Sequence, residues 1–337
     1  MTDALSRLLE IRPWLLADGA TGTNLFAMGL EAGEAPELWN EAAPEKITAL
    51  YQGFIDAGSD LILTNSFGGT RARLKLHDAQ DRAEALNRRA AELARDCADK
   101  AGRPVIVAGS MGPTGELLEP VGALTHAEAV EMFEEQARGL IAGGADVLWA
   151  ETISSEEEMR AASEAASNVG APFCGTMSFD TAGRTMMGVT SSGYAGIAGS
   201  LPATPIAFGA NCGTGASDLL RTMLGLSEAA PDAVLIAKAN AGIPFYEDGK
   251  IHYTGTPELM ADYAILARDC GARIIGGCCG SKPEHVAAMR RALETTPPGG
   301  RRPSLDEIVE KLGAFTSDDD GTGDKAPAPQ RRRRRRG

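Results

Sequence analysis

Short apolar stretches alternate with helix-like stretches from near the N-terminus to about residue 296. The apolar stretches are continuous, which is typical of parallel strands that are buried on both faces. Eight strand signals, each followed by a helix signal, match the count of an α/β fold of the (β/α)8 TIM-barrel type. The predicted strands are 14–17, 60–64, 104–108, 146–150, 172–179, 205–210, 233–238 and 273–275. The main predicted helices are 44–57, 81–101, 126–143, 192–200, 216–226 and 257–269, with a last one from Pro283.

A doubly wound open sheet is the alternative arrangement of alternating strands and helices. That fold usually carries one Gly-rich phosphate turn after its first strand. In this sequence, Gly-rich or polar turns follow most of the predicted strands. Such turns suit a ring of loops at one face of a barrel, so we predict a single barrel domain over residues 1–300.

The region after the barrel changes in composition. We predict a C-terminal helical extension over 301–316. From residue 317 the chain reads SDDDGTGDKAPAPQRRRRRRG, with almost no apolar content, which predicts a disordered Arg-rich tail over 317–337. The run Arg331–Arg336 is either a solvated tail or an electrostatic contact for an acidic partner or RNA.

The predicted folded part is acidic. Formal net charge is −13, and because Arg331–Arg336 contribute +6, the rest of the chain carries −19. This charge argues against nucleic-acid binding by the folded body. No apolar run approaches the ~18–20 residues of a membrane helix, and the start MTDALSRLLEIRPW has no signal-peptide core. We therefore expect a cytoplasmic protein without a membrane partner. A homo-oligomer is compatible with the sequence.

Three of the six cysteines lie at the ends of predicted strands. Cys212 follows the sixth strand, and Cys278 and Cys279 follow the eighth, between glycines. The carboxyl ends of barrel strands converge on the active face. Three thiolates fill three corners of a tetrahedral zinc site and leave the fourth open, as in catalytic zinc sites. The sequence therefore predicts Zn²⁺ bound by these three cysteines. The remaining cysteines fit the reading of buried small residues: Cys97, Cys174 and Cys270.

The turns after the predicted strands resemble the homocysteine S-methyltransferase family. That family includes betaine–homocysteine methyltransferase and the homocysteine-binding module of cobalamin-dependent methionine synthase. The resemblance covers roughly residues 10–295, and its most specific motifs are Gly-Ala-Asn-Cys at 209–212 and Gly-Gly-Cys-Cys-Gly at 276–280. It implies a zinc-bearing TIM barrel that methylates homocysteine to methionine. The other matching turns are Asp18–Thr23, Thr64–Phe67, Gly112–Gly115, Glu151–Thr152 and Asn240–Pro244.

The chemistry of a zinc-bound thiol fits that activity. A free thiol has a pKa of about 8.5, and zinc binding converts it to a thiolate. A thiolate that attacks a methyl group in line transfers no proton, so no histidine base is required. We expect no catalytic residue beyond the zinc site, and we interpret the four histidines as surface or structural residues.

The resemblance also implies where the amino-acid part of homocysteine binds. Glu151, at the end of the fourth strand, is the expected partner of the ammonium group, with a solvated loop glutamate as the alternative. Asp18 and Gly19 end the first strand, where the family contacts homocysteine and where the backbone suits the carboxylate. Thr64 and Asn65 belong to the matching turn after the second strand.

Asn240 is a candidate for the fourth zinc position, or for a residue that orients a ligand, before the substrate arrives. Its place in an Asn-Ala-Gly turn is equally explained by backbone conformation.

The sequence leaves the methyl donor open. Betaine, the donor of a stand-alone enzyme, needs aromatic faces around its quaternary ammonium, and only Trp39 resembles the expected aromatic residue. Gly68 and Thr152 stand where tyrosines tend to occur in betaine enzymes of the family. The alternative is methylcobalamin on a separate corrinoid protein, because the chain shows no cobalamin or folate domain. S-methylmethionine is a third donor, and a non-catalytic zinc- or thiol-binding component is a further class.

Overall fold

The computed structural model describes residues 3–247 and 250–321. Its strands are β1 Leu15–Leu16, β2 Leu61–Leu63, β3 Ile106–Met111, β4 Val147–Ile153, β5 Phe173–Met177, β6 Ala207–Cys212, β7 Leu235–Ala239, β8 Pro244–Glu247, β9 Lys250–Tyr253 and β10 Ala272–Gly277. Eight of them form one parallel sheet in the order β1-β10-β7-β6-β5-β4-β3-β2. A parallel bridge between Ala17 and Leu61 joins β1 to β2 and closes the sheet. The predicted (β/α)8 barrel is confirmed.

Helices follow the barrel strands and cover them. The described helices are α1 Ala4–Ile11, α2 Gly22–Ala27, α3 Trp39–Ala42, α4 Pro44–Asp56, α5 Arg71–Leu74, α6 Ala83–Asp99, α7 His126–Ala142, α8 Glu156–Asn168, α9 Ser191–Ala198, α10 Ala216–Ala229, α11 Pro257–Asp269, α12 Pro283–Thr295 and α13 Leu305–Leu312. Helix starts follow ordinary capping chemistry. Thr125 and Ser155 accept backbone N–H groups at the starts of α7 and α8. Proline occupies the first turn of α4, α11 and α12.

The apolar core forms two layers, inside the barrel and between barrel and helices. Along β1, Leu15 and Ala17 belong to the inner layer, while Leu16 packs outward with the helices. The inner layer also includes Leu5, Leu8 and Leu9 of α1. This helix therefore closes the amino-terminal end of the barrel and leaves the carboxyl-terminal end for a cavity. It was not predicted from the sequence.

A buried carboxylate fixes the amino-terminal end of β2. Asp60 accepts the Leu16 N–H at 3.0 Å, and its oxygens lie 2.6 Å from Arg12 Nη1 and 3.0 Å from Arg290 Nη1. The Asp60 side chain is 1% exposed, whereas the two arginines are 30% and 23% exposed. One carboxylate thus ties β1, β2 and α12 together.

The antiparallel hairpin of β8 and β9 follows β7 and was also not predicted. After α13, residues 313–321 continue without a helix or strand. Of the predicted disordered tail over 317–337, the described residues 317–321 contact α10. Arg331–Arg336 lie outside the described residues, so disorder there stays a prediction. Within the described ranges, every helix is too short or too polar to cross a lipid bilayer.

We expect Asp60→Asn to lower the free energy of unfolding by about 2 kcal/mol. The loss is smaller than for a fully buried pair because both guanidinium groups are partly exposed. Urea denaturation followed by far-UV circular dichroism measures it. The matched control is Glu84→Gln, which breaks a half-exposed pair with Arg138 and is expected to cost less than ~1 kcal/mol. Equal losses in the two variants would contradict the assignment.

Candidate metal centre and substrate cavity

Three cysteine sulfurs meet at the carboxyl-terminal end of the barrel. Cys212 ends β6, and Cys278 and Cys279 directly follow β10, two strands away in the sheet. The three Sγ atoms lie within 4.8 Å of one another, and Cys212 Sγ is 4.0 Å from Cys279 Sγ. Sulfurs about 2.3 Å from a tetrahedral ion lie about 3.8 Å apart. The spacing therefore fits a metal ion between them.

Among the three thiols, Cys279 favours the thiolate form. Hydrogen bonds from Cys212 and Cys278 lower the pKa of Cys279 to about 3. The pKa of Cys212 is raised because its thiol hydrogen-bonds Cys278 and Cys279. A thiolate on Cys279, beside two further sulfurs, attracts a cation, which agrees with the spacing.

One residue of the cluster and one beside it have left-handed backbone conformations. Thr152 and Cys212 both have φ of 62°. For a β-branched residue such as threonine this is an outlier, and strain of this kind concentrates at functional sites. Paired hydrogen bonds hold the two turns together. Thr152 N donates to Asn211 Oδ1 at 2.8 Å, and Asn211 Nδ2 donates to Thr152 Oγ1 at 2.7 Å. The turn that carries Glu151 is thereby joined to the turn that carries Cys212.

Glu151 is a buried carboxylate that lines the cavity beside the cluster. Burial raises its pKa to about 7, although Lys238 opposes the rise. Its Oε1 accepts a hydrogen bond from Ser110 Oγ. A carboxylate that is costly to bury gains from a positively charged partner, so this position suits an ammonium group.

Asp18 is committed to a buried ion pair. Its Oδ1 lies 2.6 Å from Lys238 Nζ, and its Oδ2 accepts the Leu63 N–H at 2.7 Å. Burial alone would lower the pKa of Lys238, but Asp18 and Glu151 raise it, so the ammonium stays charged. Lys238 itself lines the cavity. It was missed in the sequence, although a lysine inside an apolar strand is a recognisable signal.

The turn residue Gly19 lines the cavity and permits a close approach of three segments. A Cβ at this position would lie 2.8 Å from both the Phe54 ring and the Ser281 carbonyl oxygen. Any residue other than glycine would place its Cβ in contact with these groups. The predicted Asp18–Gly19 turn therefore lies at the cavity, with the Asp18 carboxylate facing Lys238.

Thr64 and Asn65 line the cavity, and their polar groups are engaged within the protein. Thr64 Oγ1 accepts the Ser110 N–H at 2.9 Å. Asn65 Nδ2 donates to the Pro36 carbonyl at 2.8 Å and to Asn40 Oδ1 at 3.0 Å. Their side chains therefore order the cavity wall, and direct contact with a substrate stays a prediction.

Two other predicted site residues lie beside the cavity. Asn240 donates from Nδ2 to the Gly213 carbonyl at 2.8 Å, next to Cys212, and its buried Oδ1 has no hydrogen-bond partner among the described residues. Trp39 is outside the described lining of the cavity, and Lys46 Nζ lies 4.3 Å from its ring centroid. Trp39 therefore has no described position from which it would contact a methyl donor in this cavity.

The cavity has a volume of about 530 Å³ and reaches from the thiols to the loops after the first strands. Its wall includes the aromatic residues Phe26, Phe67 and Tyr253. The Tyr253 side chain lies beside Cys279 and helps to lower the pKa of that thiol. Gly280, at φ of 80°, leaves room for the Tyr253 ring, which a Cβ would strike. Tyr253 was missed because nothing in the sequence signals the hairpin that carries it.

The chain matches the family model described as homocysteine S-methyltransferase over residues 15–293. It is 29% identical over 314 residues to a methionine synthase of Mycobacterium tuberculosis and 30% identical over 323 residues to one of Mycobacterium leprae. These matches cover 88% and 89% of this chain, which spans 26% of each relative. The metallated form of the homocysteine methyltransferase MmuM from Escherichia coli has the same fold, with a TM-score of 0.71 and 24% identity. That match covers 85% of this chain and 99% of MmuM.

The buried Glu151 predicts a pH-dependent difference in stability. Its pKa lies at about 7 in the folded protein, above the ordinary 4.5, so ionisation between pH 5 and pH 8 destabilises the native state. Glu151→Gln stays neutral. We expect the variant to gain stability over the wild type as the pH rises, by up to about 3 kcal/mol, because one pKa unit corresponds to about 1.4 kcal/mol.

Urea denaturation of the zinc-free proteins at pH 5, 6.5 and 8 measures this difference. The exposed variant Glu84→Gln is the control for the substitution itself. A difference between Glu151→Gln and wild type that stays constant across the three pH values would contradict the prediction.

Proposed function

Because the chain belongs to the homocysteine S-methyltransferase family, we propose that it transfers a methyl group to the thiol of homocysteine and forms methionine. We assign one Zn²⁺ to Cys212, Cys278 and Cys279. The observation that carries this proposal is the spacing of the three sulfurs, which suits a tetrahedral ion with one open position. Zinc bound there would supply a site that keeps the homocysteine sulfur as a thiolate.

The chain's own residues bind and orient the amino acid. Glu151 accepts the substrate ammonium, which gives this buried carboxylate a positively charged partner beside Ser110. The reciprocal hydrogen bonds of Asn211 and Thr152 hold the turn that carries Glu151 against the turn that carries Cys212. Lys238 offsets part of the negative charge that the thiols, Glu151 and Asp18 collect at this end of the barrel.

The remaining assignments rest on the residues around the cavity floor. We assign the substrate carboxylate to the backbone of the Asp18–Gly19 turn, beside Thr64 and Asn65. Asn240 is retained as the fourth zinc ligand of the substrate-free enzyme, since its buried Oδ1 has no described partner next to Cys212. We also propose a cytoplasmic location, because a reducing compartment keeps such thiols free.

We propose betaine as the methyl donor of a stand-alone enzyme. Phe26, Phe67 and Tyr253 line the cavity and offer aromatic faces to a quaternary ammonium. These three residues support the assignment better than Trp39, whose ring is next to Lys46. The solved relative MmuM is matched over 99% of its own chain, so a barrel of this size exists as a separate protein.

The alternative is the homocysteine-binding subunit of a split cobalamin-dependent methionine synthase. This chain spans only 26% of the methionine synthases that it matches. Under this alternative the methyl group arrives from methylcobalamin on a partner protein. A non-catalytic zinc- or thiol-binding component is the further alternative.

Removal of one cysteine should abolish both metal binding and turnover. We expect Cys212→Ala to retain less than a tenth of the zinc bound by wild type and to lose methionine formation, because it leaves two of the three protein ligands that catalytic zinc sites use. Metal content by mass spectrometry and methionine by chromatography measure the two effects. Cys97→Ala, far along the chain in α6, is the matched control and should keep both. Full methyl transfer by Cys212→Ala would refute the zinc assignment.

The donor is identified by turnover of the zinc-loaded protein with homocysteine. We expect methionine with betaine as the only donor. A parallel reaction contains methylcobalamin in place of betaine. Methionine formed only in that reaction would favour the split-synthase alternative. Zinc and homocysteine binding without methionine from either donor, or from S-methylmethionine, would favour the non-catalytic class.

A further inference from the structure

The segment Gly313–Gly321, here the C-terminal strap, runs from the end of α13 to the catalytic end of the barrel. At its start, the Gly313 carbonyl accepts a hydrogen bond from Ser217 Oγ at 2.8 Å. At its end, Gly321 packs directly against Gly183, in the loop that follows β5. The strap therefore crosses the start of α10, which is the helix after Cys212.

A carboxylate connects the strap to the Cys212 turn. Asp218 Oδ2 accepts hydrogen bonds from Thr316 Oγ1 at 2.8 Å, from Thr316 N at 3.1 Å and from Thr214 Oγ1 at 3.0 Å. Thr316 Oγ1 also lies 3.2 Å from Thr214 Oγ1. Thr214 stands two residues after Cys212. The strap thus contacts the turn that sets the direction of this sulfur.

Arg221 holds the strap in place. Its Nη1 donates to the Ser317 carbonyl at 2.8 Å, and its Nη2 donates to the Asp319 carbonyl at 3.0 Å. Its guanidinium lies 4.5 Å from the centroid of the Phe315 ring. The side chain is 9% exposed and also pairs with Asp218 at 3.1 Å. One arginine therefore binds both the strap and the carboxylate that the strap contacts.

The Cys212 turn needs such support because Cys212 is strained and the glycines after it are conformationally free. Cys212 has φ of 62°, and the glycines that follow, Gly213 and Gly215, have φ of 74° and 156°. A turn with two glycines samples many conformations unless contacts restrict it. Asn240 holds one side of the turn through the Gly213 carbonyl. The strap holds the other side through Thr214.

We propose that the C-terminal strap positions Cys212 for metal binding, with Thr316, Asp218 and Arg221 as positioning residues. The inference rests on the proposed zinc site, since it concerns how tightly that site binds its ion. Partners that orient a metal ligand from outside the ligand set commonly change metal affinity by about 10–100-fold. The strap is not part of the Gly-Ala-Asn-Cys motif at 209–212. The support that it gives to Cys212 therefore comes from the C-terminal region of this chain.

The test compares full-length variants by zinc affinity, measured by competition with a chromophoric chelator. We expect Thr316→Val and Arg221→Met to weaken zinc binding by about tenfold or more. Thr316→Ser, which keeps the hydroxyl, should restore wild-type affinity. Thr295→Val is the matched control, because this exposed hydroxyl bonds only within α12 in the described structure. Thermal unfolding of the zinc-free proteins reports whether each variant is folded.

Unchanged zinc affinity in Thr316→Val and Arg221→Met would overturn the inference. Thr316 is exposed on the surface, so its variant keeps the test decisive even where Arg221→Met unfolds. Equal losses in Thr316→Val and Thr316→Ser would also overturn it, because the hydroxyl would then be irrelevant. Failure of the wild type to bind zinc would instead contradict the proposed function.

Discussion

The buried ion pair between Asp18 and Lys238 stabilises the negative charge at the carboxyl-terminal end of the barrel. Three thiols, Glu151 and Asp18 gather there, and Lys238 is the buried cation placed among them. Its Nζ lies 2.6 Å from Asp18 and 6.0 Å from the centroid of the Trp149 ring. Without this cation, the desolvated carboxylates would favour their protonated forms. The pair therefore helps to preserve negative charge at this end of the barrel, which the proposed zinc ion and substrate ammonium would need.

The arrangement of the barrel follows from patterns that are visible in the sequence. Continuous apolar stretches marked all eight barrel strands, because a parallel strand in a barrel is covered on both faces. Capping residues and prolines marked several helix starts to within one or two positions. The plug α1 and the hairpin β8–β9 were not predictable in this way, since their positions depend on what the barrel leaves uncovered and not on a local pattern.

The candidate site was predictable to a different extent for each kind of residue. The cysteines carry a rare motif, and convergence of strand ends brings Cys212 to Cys278 and Cys279. Lys238, Asn211 and Tyr253 were overlooked because their importance arises from partners that are distant in sequence. Asn211 pairs with Thr152 across 59 residues, and Lys238 pairs with Asp18 across 220. Such pairings appear only when the barrel is closed.

The two hydrogen bonds between Asn211 and Thr152 fix a distance within the cavity. They hold the turn with Cys212 and the turn with Glu151 at a set separation. Under the proposed assignment, the thiol and the ammonium of the bound amino acid would have to match that span. Cysteine has one methylene fewer than homocysteine between these groups, so under the proposed assignment it would span them less well. One methylene in a binding pocket discriminates by about 10–200-fold. If Glu151 binds the substrate ammonium as proposed, the hydrogen bonds that hold the strained turns together would also set the length of amino acid that the cavity accepts.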